Sequence, residues 1–145
     1  MLNKAIINLK NLRHNAKEIK KLTGNAKFCA VVKADAYGHG APVVANEIYD
    51  LVDSFAVALV EEGIELRHAG IKKDILVLIS PFREDLEKAI RYNLTLSVGD
   101  LKTAKMINYQ AKKQGVKVKI HVKVNTGMNR QGVDDLDELD VLCKY

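Results

Sequence analysis

The chain has 145 residues, 48% of them apolar, and carries 23 Lys and Arg against 18 Asp and Glu for a formal charge of +5. That size and apolar content suit one ordinary domain and exclude a disordered chain. They also exclude a complete eight-unit α/β barrel, which needs about 250 residues.

In chain order, Ile6-Ile7-Asn8-Leu9 reads as a short strand. Asn11 then caps a helix with Leu12, Asn15, Ile19 and Leu22 along one face, and Thr23-Gly24-Asn25 stops it. Phe28-Cys29-Ala30-Val31-Val32 is continuously apolar, the pattern of a strand covered on both faces. A glycine-rich turn, Tyr37-Gly38-His39-Gly40, leads into a helix through Val43, Val44, Glu47 and Ile48. Strands at 54–59, 75–79 and 94–98 then alternate with helices at 61–68, 84–92 and 101–114, punctuated by Gly70, Pro81 and Gly115. Residues 116–124 give the most regular strand signal: Val116, Val118, Ile120, Val122 and Val124 face one way, and Lys117, Lys119, His121 and Lys123 the other. A last helix begins near Asp134. Its acidic start suits the positive end of a helix, and Leu136, Leu139 and Leu142 share one face.

A β-α unit thus recurs every 20–25 residues. Right-handed crossovers make such strands parallel, with the helices outside. Two α/β architectures fit, a five-stranded doubly wound sheet and a partial TIM-type (β/α)8 barrel. The polar stripe of Lys119, His121 and Lys123 favours the barrel, because a sheet buried on both faces leaves no place for it.

Paired lysines such as Lys20/Lys21, Lys72/Lys73 and Lys112/Lys113 fall at helix positions and read as solvated faces. Without a nucleic-acid-binding signature beside them, no nucleic-acid partner is expected. Cys29 and Cys143 lack metal-ligand spacing and read as free thiols, and no metal is expected. No apolar run approaches the ~20 residues of a membrane span, and no signal segment opens the chain, so a cytoplasmic protein without a membrane partner is expected.

Two strand ends carry chemistry. Lys33 follows Ala30-Val31-Val32, at the carboxyl edge where ligands collect in either parallel fold. An amine there can form an imine with an aldehyde, or can serve as an ordinary pairing or solvent-facing group. Gly38 and Gly40 can offer backbone amides to an anion, with Tyr37 and His39 adding side-chain donors, or can simply permit a tight turn. The second strand end is Lys123-Val124-Asn125-Thr126-Gly127-Met128-Asn129-Arg130-Gln131-Gly132, where Arg130 can bind a carboxylate, phosphate or phenolate oxygen, or lie on the surface. Lys33 and Arg130 meet only if the fold brings separate β-α units together.

These stretches are specific. Ala30-Val31-Val32-Lys33-Ala34-Asp35-Ala36-Tyr37-Gly38-His39-Gly40 closely resembles the pyridoxal-phosphate lysine motif of the alanine racemases, a fold-type III family. Ile7-Asn8-Leu9-Lys10-Asn11-Leu12-Arg13-His14-Asn15, Glu61-Glu62-Gly63-Ile64-Glu65-Leu66-Arg67 and residues 123–132 match in the same order, so the resemblance covers essentially the whole chain. It implies that residues 1–145 are the N-terminal portion of a barrel domain, with the later strands and a C-terminal β domain absent. It further implies that Lys33 holds pyridoxal 5'-phosphate as an imine, that Tyr37 lies near its phosphate and that Arg130 is directed at the ring hydroxyl. Lys123 matches a supporting lysine that is carbamylated in many members. Asn125 departs from the aspartate more usual in the family, which alters local hydrogen bonding.

The implied activity is interconversion of L- and D-alanine in a homodimer, with Lys33 serving one face of the substrate and a tyrosine of the partner subunit the other. This piece alone is expected to be inactive, and Tyr145 matches no catalytic tyrosine of the family. Alternatives are a related racemase for serine or several amino acids, a pyridoxal-phosphate homeostasis protein, and a noncatalytic structural fragment. Outside the site, His14 and His68 read as groups for helix packing or local hydrogen bonds, His121 as a supporting residue and Asp35 as a loop-orienting or capping group.

Overall fold

The computed structural model describes residues 4–144. Five strands, β1 (Cys29–Val31), β2 (Ser54–Val57), β3 (Asp74–Val77), β4 (Thr95–Val98) and β5 (Ile120–Val122), form one sheet in which all neighbours are parallel. Their spatial order is β1-β2-β3-β4-β5, the order of the chain. A doubly wound sheet reverses its order at a switch point, whereas a (β/α)8 barrel adds each strand beside the last. The fold is therefore a partial (β/α)8 barrel.

Among the described residues, seven α-helical segments and a short 3-10 turn at Arg83–Asp85 surround or connect the strands: α1 (Leu9–Leu22), α2 (Lys33–Gly38), α3 (Ala41–Glu47), α4 (Val60–His68), α5 (Leu86–Arg91), α6 (Leu101–Gln114) and α7 (Leu136–Lys144). α6 shows how sequence sets their limits. The Asp100 carboxylate accepts the Thr103 backbone N–H at 2.8 Å and its hydroxyl at 2.9 Å, and Gly115 closes the other end in the left-handed conformation. Between them, Thr103, Ala104, Ile107 and Ala111 recur on the buried face.

The core lies between sheet and helices. Phe55, Val57, Ile75, Val77, Leu96 and Val98 alternate along three strands and are essentially fully buried, packed in one cluster with Leu66, Ala89 and Ile107. Removing one such aliphatic side chain leaves a cavity and costs about 2–5 kcal/mol for a change to Ala.

Several local expectations need correction. Ile6-Ile7-Asn8-Leu9 is not a strand; residues 4–8 lead into α1, and Asn8, not Asn11, is its cap, accepting the Asn11 backbone N–H at 3.1 Å. β1 is not covered on both faces: Cys29 and Val31 are exposed, and only Ala30 between them packs against the core cluster. The regular pattern at 116–124 shortens to β5, since β4 offers pairing partners only opposite that part. Tyr145 lies outside the described residues. Cys29 and Cys143 are exposed free thiols. Among the described residues, no helix is long and apolar enough to cross a membrane.

Ion pairs tether α1. Arg13 grips Asp50 at 2.6 Å, and Lys20 reaches Asp53 at 3.0 Å. The Arg13 hydrogen bond holds the Asp50 carboxyl down at about 2. Asp53 is also lowered, first by the Phe28 backbone N–H it accepts at 2.6 Å and then by Lys20. A different tie closes the amino-terminal side of the sheet. Arg67, at the end of α4, donates to the backbone carbonyls of Ile71, Lys73, Tyr92 and Asn93 at 2.7–3.0 Å. Burial lowers its pKa, although the planar five-donor guanidinium remains charged.

Candidate active site at the carboxyl edge of the sheet

Parallel register puts one residue from each strand side by side. Val31, Ala56, Leu76 and Thr95 form one row on the face turned away from the core, and Ser97 and His121 belong to the next. Alternation carries Lys33 and Lys123 onto that same open face, at the carboxyl edge. Two lysines associated with β5 reach across β4 to β3. Lys119 contacts both Asp74 oxygens at 3.1 Å, and Lys123 Nζ donates to the Leu78 carbonyl at 3.1 Å. The short side chains of Thr95 and Ser97 leave room for this crossing, and Gly99 beyond them lets the backbone of Gly132 approach closely.

Lys33 is half-buried, and its Nζ stands 5.7 Å from the centre of the exposed Tyr37 ring. The chain between them is wound the wrong way. Ala34, Asp35, Ala36 and Tyr37 all have φ of 51–55°, one turn of left-handed helix built without glycine. Clashes between Cβ and carbonyl oxygen make that conformation cost roughly 1–2 kcal/mol per residue. Four such residues store about 4–8 kcal/mol, a large share of the ~5–15 kcal/mol that stabilises a typical domain.

Hydrogen bonds over-determine this turn. Inside it, Ala36 N–H donates to the Val32 carbonyl at 3.0 Å and Gly40 N–H to the Asp35 carbonyl at 3.0 Å. At its exit, the Asp35 carboxylate accepts the Ala41 N–H at 2.6 Å, so Asp35 is the capping group that begins α3. At its entrance, the Glu62 carboxylate accepts the Ala34 N–H at 2.7 Å. The Gly40 amide is thus already engaged, which fits the second of the two readings of that glycine, a residue that permits the tight turn. Strain of this kind, held by its surroundings, is characteristic of functional sites.

The second strand end is built differently. Lys123 is half-buried, its ammonium shared between the Leu78 carbonyl and Gln131 Oε1, each at 3.1 Å. Val124 and Val133 form a parallel bridge that closes the 123–132 loop on itself. Asn125 is its hub, accepting the N–H groups of Gly127 at 3.1 Å and Asn129 at 3.0 Å and donating to the side chains of Asn129 and Asp134. Gly132, at φ +122°, lies so close that an added Cβ would meet Asn125 N at 2.8 Å.

Arg130 is exposed at the tip of this loop, and among the described residues no hydrogen bond or ion pair engages it. Lys33 and Arg130 follow the first and last strands, with β2, β3 and β4 between them, and no described contact joins the two. His121 is exposed on the open face. His68 bonds the Tyr92 hydroxyl at 3.0 Å, edge to face with its ring, and His14 is exposed on α1. A groove of about 590 Å³ runs along the unpaired edge of β1, beside α1; it reaches Tyr37 but does not include Lys33. Sequence reasoning quoted Glu62 within a motif without a role. Its carboxylate bonds residues 28 positions away, which no local pattern can announce.

An amine on a fixed backbone, a phenol beside it and cations across the same edge suit an anionic aldehyde. The amine can bond to the aldehyde carbon, while Tyr37 and Arg130 carry donors for anionic oxygens. The family model described as alanine racemase, N-terminal domain, matches residues 7–145. Alanine racemase 1 of Caldanaerobacter subterraneus subsp. tengcongensis is 43% identical over 128 residues, which cover 87% of this chain and 33% of that protein. The alanine racemase of Treponema denticola is 44% identical over 136 residues, 92% of this chain and 36% of that one. Among solved structures, alanine racemase of Clostridium difficile 630 superposes with a TM-score of 0.91 at 43% identity, over 95% of this chain and 37% of that one. Histidine racemase of Leuconostoc mesenteroides subsp. sake gives 0.87 at 28% identity, over 94% and 37%. The chain therefore spans about a third of the length of these relatives. It belongs to the alanine racemase family, within that family's N-terminal domain.

Proposed function

We propose that this chain is the N-terminal portion of the barrel domain of a pyridoxal-phosphate-dependent racemase that interconverts L- and D-alanine. The observation that carries this reading is the half-buried Lys33, rooted beside Tyr37 in a strained turn at the carboxyl edge of a parallel sheet, within a chain of this family. The donor set fits the cofactor: an amine for its aldehyde, a tyrosine hydroxyl for its phosphate and an arginine for its ring hydroxyl. When bound, pyridoxal phosphate supplies an electron sink for the pair left when the substrate's α-proton departs.

The remaining work falls to the protein. Lys33 would hold the cofactor through its amine and, as a free amine, could take or return the substrate's α-proton on one face. Tyr37 orients the phosphate end. Arg130 would donate to the ring oxygen, and Lys123 supports the Arg130 loop through Gln131 in the same segment. Inversion needs a second proton carrier on the opposite face, supplied by another part of the full-length homodimer. This chain alone is accordingly expected not to racemise alanine.

The test is direct. The full-length protein is loaded with pyridoxal phosphate, reduced with borohydride, digested and mapped by mass spectrometry. The pyridoxyl group is expected on Lys33, and a label on any other lysine sinks the assignment. A second reading, a racemase for a different amino acid, is favoured by the 0.87 superposition on a histidine racemase. Chiral analysis of products from a panel of L-amino acids separates the two.

A further inference from the structure

The segment from Glu61 to Arg67 has no part in the chemistry above, yet one of its side chains reaches the site. Glu62 stands in the first turn of α4, and its two oxygens accept three backbone N–H groups from two strand ends. One oxygen takes Ala34 N–H at 2.7 Å; the other takes Ala58 N–H at 2.6 Å and Leu59 N–H at 3.1 Å. The Leu59 bond is the ordinary reach of a carboxylate back to the residue that starts its helix. The other two bonds exceed what a helix cap requires. Ala58 directly follows β2, and the Ala34 N–H belongs to the peptide unit joining Lys33 to the left-handed turn.

A peptide unit is rigid, so holding its N–H also holds the Lys33 carbonyl in the same plane. On the other flank, Val32 N–H donates to the Ala56 carbonyl of β2 at 2.8 Å. Both flanks of Lys33 are therefore anchored to the same neighbouring strand, one by the sheet ladder and one by Glu62. We propose that Glu62 is a positioning residue for Lys33: its carboxylate ties the Lys33–Ala34 peptide to the end of β2 and fixes the root from which the Lys33 amine enters the site. The proposal rests on the reading of Lys33 as the cofactor-holding residue.

A role confined to starting α4 makes a different prediction, and Arg67, on the same helix but directed at four carbonyls away from Lys33, supplies the contrast. Glu62→Ala, Glu62→Gln and Arg67→Ala are compared in the full-length protein freed of cofactor. The measurements are the rate at which added pyridoxal phosphate forms its coloured lysine adduct, hydrogen exchange of peptides covering Ala34, and the melting temperature. Glu62→Ala is expected to slow adduct formation by about tenfold or more, because small misplacements of a reacting group are costly. Glu62→Gln, which keeps the shape but turns an NH₂ group toward backbone donors, should fall between it and the parent. Exchange at Ala34 should quicken in both, while Arg67→Ala lowers the melting temperature and reacts close to the parent rate. Folded Glu62 variants that react like the parent overturn the proposal, as does an Arg67→Ala variant slowed as much as Glu62→Ala. If Glu62→Ala fails to fold, Glu62→Gln is read by the same criteria. If the parent's adduct maps to another lysine, the functional reading fails, and the exchange at Ala34 still decides whether Glu62 holds this peptide.

Discussion

The loops after β1 and β5 close the same edge of the sheet by opposite means. The first, 33–40, winds non-glycine residues through a left-handed turn and relies on carboxylates of Asp35 and Glu62 to hold it. The second, 123–132, is satisfied from within: Asn125 bonds its own loop and a bridge from Val124 to Val133 seals it. A strained, externally clamped loop fixes one direction for one side chain, here Lys33. A self-contained loop presents an exposed group, here Arg130, with a single non-glycine residue in the left-handed region beside it, Asn129 at φ 56°, against four in the first loop.

The sharpest way to break this contrast is Gly132→Ala. A Cβ there meets backbone at 2.8 Å in a conformation reserved for glycine, so the expected loss is about 3 kcal/mol, the upper end of the usual cost of such strain. Thermal unfolding measures it, and a neutral result would mean the second loop is not closed on itself. Asn125→Ala should cost less, roughly 1–2 kcal/mol for exposed hydrogen bonds, with faster exchange at Gly127 and Asn129. Asn125→Asp should also destabilise at neutral pH by setting a carboxylate against Asp134, and should recover as acid is added.

Ala34→Gly points the other way. Glycine adopts φ near 51° without penalty but adds freedom to the unfolded chain, so a net gain of about 1 kcal/mol is expected. An unchanged or lower melting temperature would show that the turn is less strained than its geometry says. The smallest effect is a null one. Asp50 has its pKa depressed to about 2, so the Arg13 tie contributes fully above the ordinary value of 3.8 and is lost only as pH falls through about 2. Between pH 7 and 4 the α1 tether should therefore stay intact by carboxyl NMR. Any loosening of either loop in that window then belongs to the loop itself.

Much of this was legible from residues alone. Apolar runs punctuated by glycine and proline reveal five β-α units, and period-two alternation puts Lys119, His121 and Lys123 on one face. The placement of Lys33 at a strand end needed only the run before it. What escaped depends on distant groups or on choices between similar neighbours. Asn8 and Asn11 are both good caps, and the helix takes the earlier. The left-handed turn has no clear sequence signal, since Ala and Tyr do not favour it and a lone tolerant Asp does not announce four such residues; its supports come from Glu62 and from the start of α3. Strand length in β5 was decided by its neighbour and not by its own valines.

The strand order has one more consequence. Every strand pairs with the one made just before it, so as the ribosome releases the chain no strand need wait for a later one before finding its neighbour. Each strand pairing closes over a single β-α unit, so the sheet can grow one unit at a time from β1 toward β5.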